Sequence, residues 1–93
     1  MEQRIKNIRS QLGWTQADLA KYMNVSVATV ARWEIGVRSP NEVHKRILIE
    51  LENRLSNMSS DKKKKNFANQ LANLAIGGGI IWLIAWLFKD DFN

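Results

Sequence analysis

The chain has 93 residues, 14 basic and 9 acidic, for a formal net charge of +5. It has no cysteine and one histidine, which excludes a disulfide scaffold, cysteine-ligated zinc or iron–sulfur, and a histidine-rich metal site. The length fits one small domain plus an appendage, too little for a cofactor-binding enzyme with a separate substrate domain, and the basic balance favours an anionic partner.

The predicted elements are all helices. Ile5, Ile8 and Leu12 fall at helical spacing and Gly13 is a natural stop. Thr15 is placed to cap a second helix, with Asp18 three residues on as in a capping box. Leu19, Ala20 and Met23 form the apolar face of that helix. Asn24 suits a left-handed turn, and Val25 can plug into the core. Ser26 caps a third helix running from Val27 to about Ile35, with Val30 and Trp33 inward and Gly36 at its end. Ser39-Pro40 opens a fourth, whose stripe is Val43, Ile47, Leu51 and Leu55, with Leu48 and Met58 beside it. Glu34 is expected to brace an arginine or a helix N-terminus inside the domain. His44 is expected at the surface of the fourth helix.

Two short, separately capped helices joined by a three-residue turn make a helix-turn-helix. The motifs WTQADLA, NVS and TVARWE, followed by Gly36 and then Pro40, resemble the Cro/repressor-type (Xre-like) DNA-binding family over residues 5–40. The resemblance implies duplex DNA as partner, with the third helix in the major groove. It places Val27, Ala28 and Arg32 at the base edges, Thr15, Gln16, Thr29 and Arg38 at the phosphates, and the cap residue Ser26 within the same DNA-binding surface. An exposed arginine on such a helix can pair bidentately with guanine, and Val27 and Ala28 can touch thymine methyls. Many relatives carry Arg, Gln or Ser where this chain has Val27 and Ala28, so base readout here rests on Arg32. Ile35 likewise stands where relatives often carry a polar or basic residue. No nucleophile–base pair, phosphate loop or cofactor site is visible, so no enzyme is expected.

The charge pattern divides the chain into a helix-turn-helix domain (1–56), a Ser/Lys-rich linker (57–65), a hydrophobic helix (66–88) and a short acidic tail (89–93). The run Lys62, Lys63, Lys64 and Lys65 precedes 23 uncharged residues, of which ten are Leu, Ile or Phe. As a helix this run would measure about 34 Å, against about 30 Å of bilayer hydrocarbon. Those ten residues favour insertion by about 3–6 kcal/mol before the polar residues and glycines subtract. The lysines before the span fit an N-terminus in the cytoplasm and attachment to the inner membrane. Trp82 and Trp86 are candidate interface anchors, and Ala68, Ala72, Ala75 and Gly79 make a small-residue face for close helix packing. The competing expectation is a soluble helix that joins copies of the chain or docks back on the first domain. The lysines could also touch DNA phosphates. No apolar leader opens the chain, so no secretory signal is expected.

Two functions follow. One is a dimeric, membrane-tethered transcriptional regulator of bacterial, phage or plasmid type, such as a repressor. The other is a protein-interaction scaffold, because the order helix-turn-helix, basic segment, single span also resembles the N-terminal half of a bacterial cell-shape protein whose helix-turn-helix contacts the actin-like cytoskeleton.

Overall fold

A computed structural model describes residues 1–78, with side chains through Asn73. Its described elements are five helices: α1 (Glu2–Leu12), α2 (Gln16–Met23), α3 (Val27–Ile35), α4 (Glu42–Ser56) and α5 (Asp61–Gly78). Among the described residues there is no strand.

The stops and caps act as their chemistry dictates. Gly13, Asn24 and Gly36 are all left-handed, at φ 71°, 57° and 81°. At each, the backbone N–H turns back to the last carbonyls of the preceding helix. Thr15 and Asp18 form a complete capping box: the Thr15 hydroxyl oxygen accepts from Asp18 N at 3.1 Å, and the Asp18 carboxylate accepts from Thr15 N at 2.9 Å. The short aspartate closes the box. The fourth helix starts later than Ser39-Pro40. Its cap is Asn41, whose carbonyl oxygen accepts from His44 N at 2.8 Å.

The core joins Ile5, Ile8 and Leu12 of α1 to Leu19, Ala20 and Met23 of α2, Val30 and Trp33 of α3, and Ile47, Leu48, Leu51 and Leu55 of α4. Val25 and Met58 pack against its edge. Val43 does not join it and is 51% exposed. The reason is helical drift: residues four apart rotate by about 40° on a 3.6-residue turn. A stripe of three such steps therefore leaves the core at one end, and Leu48 fills the inward angle instead.

The C-terminal part differs most from expectation. The linker is only residues 57–60, because Lys62 to Lys65 already lie in α5. Ser60 caps that helix, accepting from Lys63 N through its hydroxyl and from Lys64 N through its carbonyl, each at 3.2 Å. Phe67, Ala68 and Leu71 then bury against α1 and α2 and complete the same core. Ala68, expected on a face for partner helices, is 3% exposed because it packs within its own chain. Ala72 beside it is half-buried. The docking of α5 onto the first domain is thus the alternative that the described residues support. The side chain of Ala75, and Gly79, Trp82 and Trp86 altogether, lie outside what the structure describes. Among the described residues, no helix is long and apolar enough to cross a membrane.

Candidate nucleic-acid interface

The site rests on a buried ionic knot between the first three helices. Glu34 of α3 is 4% exposed. Its carboxylate accepts from Arg9 Nε at 2.6 Å and Nη2 at 2.9 Å, a two-pronged contact across α1 and α3. It also accepts from Gln16 Nε2 at 3.0 Å. Arg9 Nη1 donates to the Trp14 carbonyl at 3.0 Å, which ties the knot to the turn before α2. Burial alone would raise the Glu34 carboxyl. The hydrogen bonds from Arg9 and Gln16, helped by the charges of Arg9 and Lys6, outweigh it and hold the group below its ordinary value. The same pairing raises Arg9. The expectation that Glu34 braces an arginine is met.

Gln16 is therefore not a loose surface amide. A carboxylate only accepts, so its nitrogen must face Glu34, and its carbonyl oxygen and second N–H are left over. Thr15 is exposed beside it, its oxygen occupied by the cap. The N–H groups of Gln16 and Ala17, at the positive end of α2, lie outside the capping box.

On α3, Val27 is 47% exposed, Ala28 and Arg32 are exposed, and Thr29 is half-buried. Ser26 and Thr29 bond one another, hydroxyl to hydroxyl at 2.8 Å, while Ser26 Oγ accepts from Thr29 N at 3.0 Å. Their first duty is thus to hold the helix start. A hollow between α3 and the first turn of α4 brings Thr29, Arg32 and Arg38 together with Asn41 and His44 over Trp33. Gln16 and Thr15 do not line it and form a separate flank. Two guanidiniums at a helix start suit an anionic oxygen. Neither Arg32 nor Arg38 has an ion pair among the described residues.

His44 was missed as a structural residue. It is half-buried, its Nε2 lies 3.2 Å from the Met23 carbonyl, and its ring sits 5.5 Å from that of Trp33. It ties α4 to the end of α2 and supports the floor of the hollow. Among the described residues, no group of three or more His, Asp or Glu is placed to hold a metal ion.

Two short helices joined by a left-handed turn, with the second exposed along its outer face and the first held by its N-terminus, define a helix-turn-helix module. Residues 5–44 match a helix-turn-helix family model, in line with the Cro/repressor-type, Xre-like resemblance of that segment. No curated protein and no solved structure matches the chain significantly.

Proposed function

We propose that the chain is a transcriptional regulator that lays α3 in the major groove of duplex DNA. Val27 and Ala28 meet the base edges, and Arg32, one turn later, reads a guanine. Thr15 and Gln16 take a phosphate at the start of α2, and Arg38 takes one beyond α3. The observation that carries this reading is the Arg9–Glu34–Gln16 knot: it spends a buried carboxylate on aiming a glutamine at the position where a phosphate would pass.

One such module contacts few bases, so the regulator acts as a dimer on half-sites about one helical turn (~34 Å) apart. Occupancy of an operator then blocks or recruits transcription. Tethering to the inner face of a cytoplasmic membrane is the finer part of the proposal, and its support is the apolar sequence from residue 74 to 88. Since Phe67 and Leu71 are held in the core, a span compatible with this fold begins after them. Its 15 residues would cover about 22 Å, short of the usual 30 Å. A thinned bilayer or flanking residues would have to make up the difference. The second reading, a protein-binding scaffold, draws on the apolar tip of α3 and on Ile35 and Val37, which are 69% and 68% exposed.

The test is binding of the full chain to a randomised duplex pool at two salt concentrations, beside Arg32→Ala. The regulator reading expects salt-sensitive binding and a loss of about 1–3 kcal/mol with a relaxed preference at one base. Equal binding by the variant removes α3 from the groove. No duplex binding by the wild type leaves the scaffold.

A further inference from the structure

We propose that Lys64 and Lys65 of α5 form a second phosphate-contact site on the DNA duplex, flanking the contact at the start of α2; this rests on the regulator reading above. The placement follows from how α5 is held. Its inward stripe is Phe67, Ala68 and Leu71. Extended backwards, that stripe meets Lys64, which is three residues before Phe67, four before Ala68 and seven before Leu71. Lys64 is accordingly half-buried, while Lys62, Lys63 and Lys65 are exposed. A groove of about 570 Å³ separates α5 from the α1–α2 turn. Ser10, Gly13 and Trp14 line one side; Lys64, Lys65 and Asn69 line the other. Trp14 directly precedes Thr15 and the free N–H groups that open α2. The two lysines therefore border the segment that leads into the first phosphate contact.

The groove lining is net positive, because Lys64 and Lys65 outnumber its one acid. Asp61 is the acid that lines it. Arg9, on the neighbouring helix, is already committed to Glu34. Four consecutive lysines in the first turns of a helix also contradict what a helix N-terminus prefers. That end carries a partial positive charge and is stabilised by acids, while adjacent lysines repel. Asp61 opens the helix with the preferred acid, but the four lysines after it concentrate positive charge at an unfavourable place, the kind of local conflict that functional sites carry. A polyanion relieves both the repulsion and the dipole mismatch. A duplex presents one negative charge per about 1.7 Å of axis, so a backbone running past α2 offers phosphates on either flank. Anchoring by Phe67 and Leu71 holds these lysines at a fixed distance from α2, which a flexible linker would not do.

The experiment measures duplex affinity of the full chain against salt for the wild type, for Lys64→Gln with Lys65→Gln, and for a charge-matched control, Lys62→Gln with Lys63→Gln. Gln and Lys have similar helix propensity, so the fold is kept. Lys65→Gln alone, at an exposed position, serves if the half-buried Lys64 proves sensitive. Each lost phosphate contact lowers the slope of log K against log salt by about 0.9, so the groove pair should lower it by about 1.8 and the control pair by less than half of that. Equal losses for the two pairs mean diffuse attraction and overturn the site. So does an unchanged slope for the groove pair when Arg32→Ala still weakens binding, a result that leaves the regulator reading intact. Wild-type protein that binds no duplex overturns both. Phosphatidylglycerol vesicles form the last arm: a groove pair that matters for vesicles and not for duplex overturns the proposal in favour of a lipid surface.

Discussion

Shortening Leu71 to alanine should destabilise the helix-turn-helix domain, although Leu71 lies well outside residues 5–44 that match the family. Leu71 is 0% exposed and Phe67, one turn earlier, is 6% exposed, both in the core with Ile5, Ile8 and Leu19. A buried Leu→Ala change costs about 2–5 kcal/mol and Phe→Ala about 3–5 kcal/mol. Folded domains hold about 0.05–0.15 kcal/mol per residue, or about 4–12 kcal/mol over the 78 described residues. One substitution thus removes a large share of the stability. The two together approach all of it, with some loss of additivity because the side chains are neighbours. Urea unfolding of the full chain, followed by far-ultraviolet circular dichroism, is the assay. With m near 1 kcal/mol/M for so small a domain, Leu71→Ala should lower the midpoint by about 2 M or more. Asn69→Ala, exposed on the same helix, should stay within about 0.5 kcal/mol of the wild type. A Leu71→Ala midpoint equal to that of Asn69→Ala would refute the docking of α5. So would a chain ending at Ser60 that unfolds at the full-length midpoint.

Three further perturbations probe the knot, the core and a stop. Because Glu34 is held below its unfolded value, its contribution is full above the ordinary carboxylate range and is lost as pH falls through the lower folded value; Glu34→Gln should flatten stability against pH there, and an unchanged acid limb excludes the knot as its source. Tyr22 is 1% exposed, its hydroxyl has no hydrogen-bond partner among the described residues, and burial pushes its phenol up. Tyr22→Phe should therefore be neutral or stabilising by about 1 kcal/mol, and a clear loss in a thermal melt would reveal a bond to that hydroxyl. Gly13 and Gly36 are both left-handed, but an added Cβ meets nothing near Gly13 and runs into the Glu2 carboxylate at Gly36. Gly13→Ala should cost about 1–2 kcal/mol for its backbone alone, and Gly36→Ala more, with the excess removed in a Glu2→Ala background. Equal costs in the two backgrounds would show that Glu2 yields freely.

What the sequence made legible was whatever depends on neighbours along the chain. Thr15, Ser26, Gly13, Asn24 and Gly36 each act through a hydrogen bond or a backbone angle within a few residues, and each behaves as its chemistry requires. The stripes of α1 and α2 are as local and were equally readable. Long-range pairings were not. That Glu34 would brace an arginine or a helix N-terminus was readable, but the choice of Arg9, and the recruitment of Gln16, needed three helices in position. His44 read as a surface residue because nothing in its own helix announces the Met23 carbonyl waiting 3.2 Å away.

The start of the tail was the deepest misreading, and its cause is physical. Charge, not apolar spacing, set the expected boundary at residue 65, since tetralysine looks like a solvated linker and an uncharged run looks like one element. A helix with charged residues on the outside and an apolar stripe inside needs no such break. Phe67, Ala68 and Leu71 are the i, i+1, i+4 stripe of an ordinary amphipathic helix, and Asn66, Asn69 and Gln70, all exposed, are its wet side. Residues 61–73 therefore belong with the first domain by packing, while the unbroken apolar sequence begins at residue 74. Whatever engages that later sequence pulls on a helix whose other end is in the core. Withdrawal of α5 would expose Phe67 and Leu71 and move Lys64 and Lys65 away from the start of α2. Stability of the domain and the reach of the proposed flanking phosphate contact thus depend on one helix, and a partner that drew α5 out of the core would weaken both together.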